Sequence, residues 1–345
     1  MLYAKTKTLC KARGRRSARI KSRRMRPFEP VVNNPHLLTI LGNFWPRKYD
    51  FRPYPLKDRF VQTEPDTQVL VQTQVPLGTP VGELVFLHGL EGSGEAGYIR
   101  SMAWDALQAG FIAHRFHMRT CGNTEHLCNT LYHAGLTSDL RTFLEQLRGE
   151  GRGLPVMLCG FSLGGNVALK LAGELGETDL IDGVCAISTP IDLAAGVRRI
   201  GQRDNRLYEN RFLERMRARL LATGRYNAKQ LKAAKTLYEI DDVITAPSFG
   251  FGNADNYYAT QSSINYLGRI RVPTLLVQAK DDTFIPFEMY GRAGIESNKF
   301  LRLIATEHGG HLGFLSKRGS RFWVDEVAIE FFESVICEAK TASAR

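Results

Sequence analysis

The sequence predicts an α/β protein: a mostly parallel sheet flanked by helices, with a helical cap inserted between two late strands. From about residue 66 onward, strand-like and helix-like segments alternate, the pattern of a sheet wrapped by helices. Several of the strand-like runs are continuously apolar, as strands buried on both faces are. The alternation then fails once, between about 190 and 270, where charged helical stretches replace it.

Taken in order, the strand candidates are 67–75, 83–88, 111–117, 155–160, 180–188, 274–279 and 300–305. Helical segments are expected at 98–108, 136–148, 163–175 and 322–339. Inside the interruption, 198–223 and 228–239 read as helical, and 249–258 as an aromatic, glycine-bearing loop. An insertion at that point of a parallel sheet lies over the carboxyl ends of the strands, where open α/β sheets bind ligands. It is therefore expected to cap a site.

At 345 residues and 43% hydrophobic content, the chain can bury a sizeable core. It has no apolar run of the roughly 18–20 residues needed to cross a bilayer as a helix. No apolar stretch follows the basic N-terminus, so a soluble cytoplasmic protein is expected. The net charge is +11, but its distribution is uneven. Residues 1–26 hold eleven Lys and Arg and no acid, while the remainder balances at 35 basic against 35 acidic residues. The excess thus belongs to a tail, 1–26, expected to be disordered, with 27–345 forming the folded domain. Such a tail is expected to be a solvated extension, or sequence upstream of a true start at Met25, or a contact for RNA or anionic lipid. Six scattered cysteines without C-x-x-C spacing fit reduced core thiols.

The sharpest motif is Gly160-Phe161-Ser162-Leu163-Gly164. An apolar run leads into it and a helix-forming run leads out, the strand–turn–helix setting of a nucleophile elbow. Glycines suit the strained turn, which would lift the Ser162 hydroxyl above the sheet. A serine needs a base, and the base an orienting acid. The run ending at Ala279 leads into Lys280-Asp281-Asp282, which offers Asp282 as that acid and Asp281 as the alternative. The next strand opens into His308-Gly309-Gly310-His311, where His311 follows the flexible glycine pair and is preferred over His308 as base. The oxyanion needs aimed donors. The amide of Leu163 is one candidate, and that of Leu90, in the loop after residues 83–88, is the other. A rival cluster gathers His114, His117, Cys121, His126, Cys128 and His133 within twenty residues. It lacks the paired ligand spacing of zinc sites, and His114 and His117 fall on opposite faces of a strand. Structural histidines are expected there, and no metal or cofactor.

With these residues in view, the chain resembles the YheT-like branch of the α/β-hydrolases. The likeness runs from Asn34-Pro35-His36-Leu37 to about Phe332 and includes His88-Gly-Leu-Glu-Gly-Ser93, Arg119-Thr-Cys-Gly122 and the elbow through Asn166. It extends to a spaced cap signature of Asp241, Gly250-Phe251 and Tyr257-Tyr258, then the Asp pair and Gly309-Gly-His-Leu-Gly-Phe314. Asn256 and the stretch Tyr132-His133-Ala134-Gly135 depart from the usual pattern without touching the proposed triad. The resemblance implies the α/β-hydrolase fold and hydrolysis of short- to medium-chain acyl esters or acylglycerols, with a small-molecule ester as the partner. Two alternatives stay open: acyl transfer to an alcohol with the same residues, and a catalytically dead fold carrying an RNA-binding tail.

Overall fold

A computed structural model describes residues 26–342, so the expected tail, apart from Arg26, lies outside the described residues. The chain enters with α1 (Pro35–Phe44), capped by the Asn34 side chain accepting from the Leu37 N–H at 2.9 Å. It then builds an antiparallel hairpin, β1 (Lys57–Glu64) and β2 (Thr67–Gln74). From there strands and helices alternate: β3 (Gly82–Leu87), α2 (Gly97–Gln108), β4 (Phe111–Phe116), α3 (Ser138–Gly149), β5 (Val156–Phe161), α4 (Leu163–Leu175) and β6 (Gly183–Ile187). The closing elements are β7 (Thr274–Ala279), β8 (Leu301–Thr306) and the C-terminal helix Trp323–Ala342.

The eight strands form one sheet in the order β1-β2-β4-β3-β5-β6-β7-β8. Only the pairings of β2 with β1 and β4 are antiparallel; β4 through β8 run parallel. Every residue of β3, β5, β6 and β7 is buried, which explains their continuous apolar runs. One core lies on each face. The first packs Leu140, Phe143, Val167 and Leu171 of α3 and α4 against the sheet. The second packs Ile99, Met102 and Leu107 of α2 with Val327, Ala328 and Phe332 of the C-terminal helix.

The segment between β6 and β7 is helical. Its main pieces are α5 (Leu193–Ile200), α6 (Arg206–Ala222), α7 (Ala228–Ala233), α8 (Leu237–Ile240) and α9 (Ala254–Gln261). It has its own apolar nucleus, with Leu213, Met216, Leu220, Leu231 and Leu237 closing on Leu131 of the main body. Among the elements that escape the sequence reading are α1, the edge strand β1, and α9, which occupies part of the expected aromatic loop.

Candidate active site

The turn from β5 to α4 carries Ser162 at φ 52°, ψ −121°, a strained conformation for a residue with a side chain. The turn forms because its neighbours have none. A Cβ on Gly164 would lie 2.3 Å from the Leu87 carbonyl oxygen, and one on Gly160 would lie 2.4 Å from that of Gly164. The Ser162 N–H donates to the Ile187 carbonyl at 2.8 Å, fastening the turn to β6.

Two loops at the same end of the sheet meet this serine. His311 Nε2 stands 3.0 Å from Ser162 Oγ, and His311 Nδ1 lies 3.1 Å from both carboxylate oxygens of Asp282. The Asp282 side chain is fully buried and all its remaining capacity is used. Oδ1 accepts from the N–H groups of Phe284 and Ile285 at 2.8 and 3.1 Å, and Oδ2 accepts from Gln278 Nε2 at 3.1 Å. A carboxylate so held fixes the imidazole with a proton on Nδ1, leaving Nε2 to face the serine. The Phe284 ring packs on His311 with centroids 4.5 Å apart. From below, the Thr39 hydroxyl of α1 accepts the His311 backbone N–H at 2.9 Å and donates to the Pro35 carbonyl at 2.8 Å. Thr39 has no sequence signal beyond lying inside the resemblance.

The alternatives pair with each other. Asp281 Oδ2 bonds His308 Nδ1 at 3.0 Å, and its Oδ1 accepts the Gly310 N–H at 2.9 Å. Neither touches Ser162; together they brace the loop that presents His311.

Leu90 and Leu163 line one cavity with Ser162. The Leu90 loop is tied on every side. His88 donates from Nδ1 to the Gly89 carbonyl at 2.8 Å and accepts the Met118 N–H on Nε2 at 3.1 Å. Burial pushes this imidazole down to about 4, so it stays neutral. The Tyr98 hydroxyl accepts the Gly89 N–H at 3.0 Å. Glu91, next to Leu90 and itself at φ 53°, takes the guanidinium of Arg219 from α6 at 2.8–3.0 Å and the Tyr132 hydroxyl at 3.0 Å. Arg219 also donates to Thr120 Oγ1 at 2.8 Å. A buried ion pair thus joins the inserted helices to the loop beside Ser162, across 128 residues of sequence. Sequence reasoning missed it, since α6 carries five arginines and nothing in their spacing shows which one turns inward.

The cavity holds about 870 Å³ of free space, its open mouth included. Leu193, Val197, Ile200, Phe212, Met216, Leu220 and Leu237 from the insertion make most of it apolar. Its polar end holds Asp241, whose carboxyl burial pushes up to about 6 and which accepts from the Tyr258 hydroxyl at 2.7 Å. His133 also lines it, pushed down to about 3 by burial, its ring 4.5 and 5.2 Å from those of Phe249 and Phe251.

Two further histidines of the rival cluster, His114 and His117, bond to side chains outside the cavity. His114 bonds Glu83 at 2.9 Å, and His117 bonds Gln72 at 3.0 Å. Burial lowers both, His117 to about 3. Among the described residues, no group of three or more His, Cys, Asp or Glu side chains is arranged to hold a metal ion. None of the described helices is long and apolar enough to cross a membrane.

Comparison with known proteins adds findings of three kinds. A family model described as the alpha/beta hydrolase fold matches residues 83–318. The chain is 32% identical to the putative esterase YheT of Escherichia coli, over 82% of this chain and 85% of that one. It is 29% identical to a monoacylglycerol lipase of Saccharomyces cerevisiae over 72% of this chain and 58% of the relative. It is 28% identical to a medium-chain fatty acid ethyl ester synthase/esterase of the same yeast, over 84% and 67%. Among solved structures, the Pyrococcus furiosus esterase Pf2001 superposes with a TM-score of 0.56 at 18% identity, over 90% of this chain and 99% of that one.

Proposed function

The chain belongs to the α/β hydrolase family, and from that premise we propose that it hydrolyses carboxylic esters through an acyl-enzyme on Ser162. The observation that carries this reading is the hydrogen-bonded series Asp282–His311–Ser162, set on a strained turn that opens into an apolar cavity. His311 Nε2 takes the hydroxyl proton as Oγ attacks the ester carbonyl, and then gives it to the leaving alcohol. Asp282 stabilises the imidazolium that forms between those steps. The backbone amides of Leu163 and Leu90 receive the oxyanion. Water, activated by the same histidine, then releases the acid. The family relatives that act on acylglycerols and medium-chain esters support an acyl chain in the apolar cavity and the ester carbonyl at Ser162.

The test is turnover of p-nitrophenyl esters of increasing chain length by the protein and by Ser162→Ala. Short to medium chains are expected to be cleaved, with activity lost in the variant; equal turnover by both proteins would overturn the reading. A second reading, acyl transfer to an alcohol, is favoured by the yeast relative whose name pairs synthase with esterase. It uses the same residues and differs only in what attacks the acyl-enzyme. Ethyl ester formed from added ethanol would distinguish it.

A further inference from the structure

Helix α1 has two faces with different tasks. Its inner face, Leu38, Thr39 and Gly42, is buried against the loop that carries His311. The approach is close: a Cβ on Gly313 would lie 2.3 Å from the Leu38 carbonyl oxygen. Its outer face presents Leu37, Ile40 and Phe44, at positions i, i+3 and i+7, exposed by 49%, 43% and 62%. Leu207 at the start of α6 is 84% exposed. It adjoins Tyr208, whose ring stacks on His36 at 5.8 Å, so α1 and α6 lie side by side here. Arg211, one turn beyond Leu207 on α6, lies against Phe44, and Tyr208 packs on Phe284 of the cavity wall with ring centroids 4.9 Å apart. Four large apolar side chains are thus exposed on two adjoining helices that abut the site, a cluster that soluble proteins rarely leave bare without a partner.

The charges around it select the partner. The Arg211 guanidinium sits 5.4 Å from the Phe44 ring, and that of Arg321 sits 5.2 Å from the ring of Trp45, the next residue. Arg206, Arg211 and Arg215 are exposed along α6, against Glu214. Although the folded domain is neutral in sum, residues 191–270 hold 13 Lys and Arg against 8 Asp and Glu. Apolar and aromatic side chains ringed by arginines match the acyl–headgroup boundary of an anionic lipid surface: the rings enter the boundary and the guanidinium groups meet phosphate.

We infer that the exposed face of α1, with Leu207, docks the protein on an anionic lipid surface and brings the mouth of the ester site to its substrate. The inference names where the proposed ester hydrolase meets a lipid substrate, and it rests on that reading for its purpose but not for its test. The dock shares a helix with Thr39, so the surface that meets lipid is one helix thickness from the support of His311.

The test uses full-length protein carrying Ser162→Ala, so that no substrate is consumed, with vesicles of phosphatidylcholine containing about a quarter phosphatidylglycerol. The protein is expected to co-sediment, less so at high salt because part of the attraction is screened. Adding Phe44→Glu and Leu207→Glu is expected to weaken binding at least about tenfold, since two apolar anchors are lost and two charges repel the surface. Ile40→Glu alone tests the same face should the double substitution misfold. In protein that keeps Ser162, the face substitutions are expected to leave turnover of a soluble short-chain ester within about twofold, because they lie outside the cavity. Binding within about twofold of the parent in the correctly folded variants would overturn the inference and assign any attraction to other charges. A parent that fails to bind vesicles, or a dimer that the substitutions split into monomers, would overturn it too. If vesicle binding behaves as expected while no protein turns over any ester, the functional reading falls and the docking surface stands.

Discussion

Two Asp–His pairs sit side by side in this molecule, built from adjacent aspartates and from histidines three residues apart. Asp282–His311 is closed off from water: the aspartate side chain is fully buried and the histidine side chain 8% exposed. Asp281–His308 lies at the rim, with its side chains 18% and 37% exposed. The inner carboxylate accepts two backbone amides, a glutamine amide and the imidazole, and the far nitrogen of that imidazole reaches Ser162. The outer carboxylate holds the Gly310 amide and an imidazole that meets no nucleophile. Chemistry is therefore assigned by burial and by what the second ring nitrogen faces, not by residue type. A buried, fully bonded carboxylate can fix a tautomer and balance a transient imidazolium, whereas a half-exposed pair is screened and contributes little.

The contrast predicts a graded series of effects. The largest belong to the inner set: Ser162→Ala and His311→Ala are each expected to lower kcat by about 10⁵–10⁶ with melting temperature little changed, as for residues acting as one unit. Asp282→Asn should follow, at about 10⁴. Its carbonyl would stay on the Phe284 and Ile285 amides, which puts its NH₂ group against the Gln278 and His311 donors and forces the wrong tautomer.

Arg219→Met sharpens the comparison from a third pair, Arg219–Glu91, which is buried. It leaves the Glu91 carboxylate buried and uncompensated, at a cost of about 3–5 kcal/mol in denaturant unfolding. Arg219→Met combined with Glu91→Gln should recover much of that loss.

Asp281→Asn should reduce kcat by less than about tenfold, since an asparagine carbonyl can still accept the Gly310 amide. His308→Ala should do least, with a stability change of about 0.5 kcal/mol and near-normal turnover. If either outer substitution proves more damaging than Asp282→Asn in the same kinetic assay, the roles of the two pairs are reversed.

The parts of the fold made of buried runs were legible. Strands β3, β5, β6 and β7 are apolar along their length because both faces are covered, and the elbow announces itself through its glycines. Elements at the margin were not. Strand β1 reads Lys-Asp-Arg-Phe-Val-Gln-Thr-Glu and buries only Val61 fully, so its pattern is weak. Helix α1 carried an Asn34-Pro35 start signal that is readable only once a helix is looked for there. In the site, the residues around Ser162 follow from local sequence. The choice between Asp281 and Asp282 does not, because both end the same strand and only the loop's descent into the core separates them. Thr39 and the Arg219–Glu91 pair depend on contacts across 272 and 128 residues, which no local pattern encodes.

The most direct test of the central claim is the site of covalent labelling by a fluorophosphonate, read by peptide mass spectrometry on the intact protein. The account predicts one adduct, on Ser162, absent in Ser162→Ala and strongly slowed in His311→Ala. An adduct on another serine, or undiminished labelling of Ser162→Ala, would contradict it.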